Sequence, residues 1–150
     1  MSEREPSGPE SKASSEWPPL YFAPAKPPEL IHPLVLAYVG DTLHDLFVRQ
    51  YLIALPNHRP HHLHREASAQ VSAKAQAKIL ERLMPVLTDE EKNIVRRGRN
   101  VKSGTPAKNA DILEYRYSTA FECLLGYLFY KGQFQRLNDL LELSLDLDRS

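Results

Sequence analysis

A chain of 150 residues that is 42% hydrophobic and 25% charged is sized for one globular domain with a single core, which excludes a large scaffold and a two-domain enzyme. Nineteen Lys and Arg balance nineteen Asp and Glu, so any polyanion must be held by a local patch, and a histone-like basic protein is excluded. The lone cysteine, Cys123, cannot close an internal disulfide, no run reaches the ~18 to 20 apolar residues of a membrane span, and the acidic N-terminus lacks a signal or transit pattern; a reducing, intracellular, soluble protein is expected.

Residues 1–28 contain seven of the twelve prolines among Ser, Glu and Lys, and are expected to form a flexible arm ahead of a domain spanning 29–150. In that domain strand signals are scarce and apolar residues recur at spacings of three and four, so the fold is predicted to be all-α. The first helix is predicted over Pro33 to Leu55, opened by Pro33 and stopped by Pro56. A second is predicted from near Arg65 to the residue before Pro85, with Ala67, Val71, Ala75, Ile79 and Leu83 on one stripe and Lys74, Lys78 and Arg82 on the other face. Thr88 and Glu91 spell a capping box for a short helix ending near Gly98, and a basic loop follows. Asn109 is expected to cap a long helix from Ala110 to about Lys131, ended by Gly132, and a last helix from Gln133 directs Phe134, Leu137, Leu140 and Leu141 to the core.

Two carboxylates stand in apolar company. Leu30 to Gly40 contains no Asp, Glu, Lys or Arg, and then Asp41 appears in LAYVGDTL, with Asp45 one turn on; Glu122 is the only such residue between Arg116 and Lys131. A carboxylate in such a setting survives by pairing, hydrogen bonding, protonation or metal ligation, and neither Arg49 nor Arg116 lies at helical spacing from Asp41 or Glu122. If their helices pack, with Gly40 and Gly126 allowing close approach, Asp41 and Glu122 converge on one hard cation such as magnesium. The alternative is ordinary capping or interhelical hydrogen bonding, and for Asp45 a solvated helix face beside His44.

From Lys92 to Ala110 there are six basic residues and no acid: Lys92, Arg96, Arg97, Arg99, Lys102 and Lys108. With Lys74 and Lys78 they make a surface suited to phosphate oxygens, against the alternative of a merely solvated loop. His58, His61, His62 and His64 flank Pro60 in a predicted loop, where a tunable positive surface is the simpler reading than a transition-metal site. The dipeptide His44-Asp45, with His32 and Asp111, keeps a metal phosphohydrolase of the HD type as a minor alternative.

The segment LAYVGDTLHDLF resembles the signature helix of the ribonuclease III domain, and YSTAFECLLGYLF its later helix, where a Glu precedes a Leu-hydrophobic-Gly step. SAKAQAK, RRGRN and KNADILEYR, between them, resemble Mini-III ribonucleases, the short branch without a separate double-stranded-RNA-binding domain. The resemblance covers about Glu29 to Leu143 and implies an all-helical homodimer that uses magnesium to cut double-stranded RNA, leaving a 5′-phosphate and a 3′-hydroxyl. It implies metal-binding, catalytic roles for Asp41 and Glu122, and RNA contacts from Lys74, Lys78, Arg96, Arg97, Arg99, Lys102 and Lys108. The implied substrate is a precursor of large-subunit ribosomal RNA, and the expected location is a bacterial cytoplasm in preference to a plastid stroma. Larger ribonuclease III enzymes carry further acids where this chain has Leu34, Ala37 and Thr119, which leaves the number of metals open. The rival of another class is a non-catalytic RNA-binding dimer that keeps the same fold.

Overall fold

The structure, a computed structural model, describes residues 20–101 and 111–148. Six helices follow one another: α1 (Pro33–Ala54), α2 (Pro60–Gln70), α3 (Ala73–Leu83), α4 (Asp89–Asn100), α5 (Ile112–Tyr130) and α6 (Phe134–Asp148), and no strand occurs among the described residues. No described helix is long and apolar enough to cross a membrane.

Composition places α5 at the centre. It is apolar around most of its circumference, as a helix enclosed by others must be, and every residue from Ser118 to Leu128 except Glu122 is buried. Helices α1, α3, α4 and α6 pack around it, while α2 lies against α1 and α3 over a small second cluster of Val48, Leu52 and Ala67. Phe121, Leu124, Leu125, Tyr127 and Leu128 are almost wholly enclosed, and each contributes about 1.5 to 3 kcal/mol by leaving water.

Helix ends follow local chemistry. The His32 Nδ1 accepts from the Leu34 N–H (3.1 Å) to start α1, with Pro33 in the first turn. The capping box at α4 forms as read: the Thr88 hydroxyl accepts from the Glu91 N–H (3.1 Å), and Glu91 Oε1 from the Thr88 N–H (2.8 Å). Gly132, at φ 78°, turns the chain out of α5, the left-handed conformation that a residue without Cβ adopts without strain. Glu91 is also buried and clamped by Arg136 of α6, whose Nε and terminal nitrogen each donate to it over 2.8 Å. Burial pushes the Glu91 carboxyl up, but Arg136 and the Thr88 backbone pull harder and hold it below the usual carboxylate range.

Five expectations change. The predicted single helix from Arg65 is two, because the Ser72 hydroxyl captures the Ala75 N–H (3.1 Å) and starts α3 afresh, which turns Gln76 inward instead of Ala75. Pro60 opens α2 earlier than read, so His61, His62 and His64 are helical and not in a loop. Asp111 caps α5, accepting from Leu113 and Glu114, in place of Asn109, which lies outside the described residues. Helix α4 runs past Gly98 to Asn100, because Gly98 serves contact with α5 and not termination: a Cβ there would sit 2.9 Å from Ala120 Cα. Of the arm expected over 1–28, residues 1–19 lie outside the described residues. Its last part is docked, with Tyr21 buried between the rings of Phe129 (5.3 Å), Tyr130 and Phe134.

Candidate active site

The site begins with two glycines. A Cβ on Gly40 would stand 1.7 Å from the backbone carbonyl oxygen of Glu122, and one on Gly126 would stand 2.0 Å from that of Leu36. Neither space exists for any other residue, so α1 and α5 cross backbone against backbone at two points. Asp41 follows Gly40 directly, and the backbone that Gly40 meets is that of Glu122 itself. The crossing therefore delivers the two isolated carboxylates of the sequence to one place.

Their electrostatics reflect it. The Asp41 side chain is exposed and that of Glu122 half-buried. Burial first, then the hydrogen bond and negative charge of Asp41, push the Glu122 carboxyl up to about 8, against a hydrogen bond from Gln76 that favours the charged form. Among the described residues, no Lys or Arg acts on Glu122. The Glu122 carboxyl is thus favoured in its protonated form beside Asp41, and a divalent cation between them would remove the repulsion that this proton relieves. The donor set fits a hard cation: two carboxylates, with no third His, Cys, Asp or Glu joining them among the described residues, leave the other positions to water and phosphate oxygens. Ala37 and Thr119, the neighbouring positions on the two helices, are buried and add no oxygen of carboxylate type.

Behind the carboxylates lies a polar layer that the sequence reading missed. Gln76 of α3 is 1% exposed, its amide carbonyl accepts from the Ser118 hydroxyl, and its Nε2 meets His44 Nδ1 at 2.9 Å as well as reaching Glu122. His44 is equally buried, edge-on to Phe121 at 5.1 Å between ring centres, and burial drives its pKa down to about 4 in spite of Asp41 and Asp45. Burial keeps the ring neutral, and its Nδ1 is taken up by the Gln76 amide. Asp45 pairs with Arg49 (3.0 Å), while His32 and Asp111 are helix caps, so the HD-type reading has no constellation left. The one signal for Gln76 was its place inside SAKAQAK; four-residue spacing assigned the stripe to Ala75.

The basic residues separate. Lys74 and Lys78 are exposed on α3, on the helix that sends Gln76 inward. Arg96, Arg97 and Arg99 sit on the last turns of α4 and not in a loop, while Lys102 and Lys108 lie outside the described residues. Arg96 is exposed and bonded to Asn93; Arg99 lines a cavity of about 290 Å³ with Met84, Val95 and Tyr117. Arg97 is committed elsewhere, donating to the carbonyl oxygens of Glu29 (3.1 Å) and Ile31 (3.4 Å). The histidines of α2 gather no metal-binding cluster among the described residues.

The ribonuclease III domain family matches residues 34–133. Mini-ribonuclease 3 of Brevibacillus brevis is 51% identical over 115 residues, covering 77% of this chain and 86% of that protein. Mini-ribonuclease 3 of Staphylococcus aureus is 45% identical, over 75% of this chain and 86% of that one. A crystal structure of a protein from Fusobacterium nucleatum superposes with a TM-score of 0.71 at 24% identity, over 83% of this chain and 99% of that chain, a likeness of fold.

Proposed function

The chain belongs to the ribonuclease III family, beside the Mini-ribonuclease 3 enzymes, and is an endoribonuclease of that family; from this premise we propose that it cuts double-stranded or structured RNA with magnesium held between Asp41 and Glu122. The single observation that carries the proposal is the meeting of the two carboxylates at the Gly40 crossing, where Glu122 is under pressure to shed its negative charge. Asp41 and Glu122 would hold the magnesium, which would supply charge for the scissile phosphate and lower the pKa of an attacking water; the products expected of such hydrolysis are a 5′-phosphate and a 3′-hydroxyl. Asp41, exposed at the rim, faces substrate and solvent; Glu122, half-buried, fixes the inner side of the site. Lys74, Lys78, Arg96 and Arg99 are the described residues proposed to meet phosphates, with Lys102 and Lys108 from the sequence reading; duplex RNA read by shape needs no base-contacting element. Arg97 leaves that set because its guanidinium is spent on the backbone of Glu29 and Ile31.

A second copy of the chain is the proposed partner of the apolar face of α1. Val35, Tyr38, Leu46 and Ile53 are all more than half exposed, Tyr38 at 79%, beside an open hollow of about 640 Å³ lined by Leu43, Phe47, Phe129 and Phe134. A single soluble chain rarely leaves such a surface uncovered. Precursor large-subunit ribosomal RNA as substrate and the bacterial cytoplasm as setting complete the proposal.

The test is cleavage of end-labelled duplex RNA with and without magnesium, beside Glu122→Gln. Magnesium-dependent cuts by the wild type alone support the proposal. Binding and protection of several duplexes without cuts would move the assignment to a non-catalytic RNA-binding dimer.

A further inference from the structure

We propose that Gln76 is a positioning residue for the Glu122 carboxylate, with Ser118 holding its amide the right way round; the inference rests on the reading of Asp41 and Glu122 as the metal-binding pair. A buried amide needs a reason, since an apolar side chain fills the same space without the desolvation penalty that an unpaired polar group incurs. Here every polar atom of the amide is used. Oε1 accepts from the Ser118 hydroxyl, Nε2 lies 2.9 Å from His44 Nδ1, and the same amide acts on Glu122 as a hydrogen-bond partner that favours the charged carboxylate.

The orientation is determined by its neighbours. An ionised carboxylate has no proton to give, so only the NH2 end of Gln76 can face Glu122 in the cation-binding state. Ser118 lies one turn before Glu122 on α5 and stabilises that orientation by donating to the opposite end of the amide. With the amide held this way round its Nε2 donates to His44 Nδ1 at 2.9 Å, a partner that accepts in the Nε2-protonated tautomer. Three helices thus converge on one amide: α1 through His44, α3 through Gln76, and α5 through Ser118 and Glu122. The glycine crossing fixes the Glu122 backbone, and this layer fixes its side-chain torsions, which the crossing leaves free. Partners behind a ligand, when removed, weaken metal binding by about 10- to 100-fold.

The deciding experiment measures Mn²⁺ binding to the RNA-free protein by the electron paramagnetic resonance of free Mn²⁺, with wild type, Gln76→Met, Ser118→Ala and Glu122→Gln. Gln76→Met is expected to weaken binding about 10-fold and to raise the magnesium giving half-maximal cleavage by the same factor, with the KM for RNA at saturating magnesium unchanged. Ser118→Ala is expected to act in the same direction by about threefold, since it frees the amide to flip without removing it. Should Gln76→Met fail to fold, the Ser118→Ala result decides alone. Wild-type Mn²⁺ affinity in the folded variants, with Glu122→Gln impaired, overturns the proposal and leaves Gln76 as a structural bolt. Wild-type affinity in Glu122→Gln instead overturns the metal-pair reading, and the positioning role with it.

Discussion

Replacing Glu122 with Gln should stabilise the metal-free protein while removing its activity. The folded pKa of about 8 stands above the ordinary value of 4.5, so folding must take up a proton at Glu122 wherever the unfolded chain has lost it. The sign follows: the folded state binds more protons than the unfolded one, and this contribution to stability falls as pH rises from about 4.5 to about 8, then levels. At 1.36 kcal/mol per pKa unit the penalty reaches about 3 kcal/mol at pH 7 and stays under about 1 at pH 5. These are upper values, because half-burial leaves the carboxyl some water. Gln keeps the shape, accepts from Gln76 and donates to Asp41, yet never has to be neutralised. Urea unfolding in chelator, at fixed protein concentration, should show the variant above wild type at pH 8 and nearly level with it at pH 5. Magnesium should then close most of that gap, since a ligand at 100 times its Kd adds about 2.7 kcal/mol to the protein that binds it. Equal destabilisation at both pH values, or the same gain from magnesium in both proteins, would refute the reasoning.

Other perturbations test other links. Gly40→Ala places a Cβ 1.7 Å from the Glu122 carbonyl, so the helices must part; a loss of about 3 kcal/mol in chemical denaturation and a fall in kcat of at least about 100-fold are expected. Glu91→Gln weakens the clamp to Arg136, costing about 2 kcal/mol; because the folded pKa of Glu91 is lowered, its contribution is full above 4.5 and lost as pH falls through the lowered value, so the variant's acid limb should be flatter than wild type. Lys74→Ala with Lys78→Ala should weaken duplex RNA binding and reduce the slope of log affinity against log salt by about 1 to 2, whereas an unchanged slope would remove α3 from the phosphate-contacting surface. Tyr38→Lys puts a charge on the apolar face of α1 and should yield a monomer in sedimentation; an unchanged oligomer would place the interface elsewhere.

The helices were legible where one local signal decided each end: Pro33 and Pro56 around α1, the Thr88 box, Gly132 after α5. They were misread where two signals competed. Ser72 stood in the middle of a regular apolar stripe, and the stripe suggested continuity where the hydroxyl imposed a restart. Asp41 and Glu122 were visible because charge in an apolar run is conspicuous in one dimension. Gln76 and Ser118 were not, because each is an ordinary residue of a helix until three helices meet around it, and His44 stood out only beside Asp45, for the HD-type alternative. Arg97 shows the converse: a basic run has no mark that distinguishes a cation facing a ligand from one bonded to a neighbouring turn.

Where α1 and α5 cross, peptide meets peptide with no side chain between. The span between the carboxylate backbones is thus set by the thickness of the main chain, a dimension that substitution elsewhere in the core does not adjust. Retuning this site for a larger or smaller cation is left to the carboxyl arms alone, by exchanging Asp for Glu or Glu for Asp, in steps of one methylene.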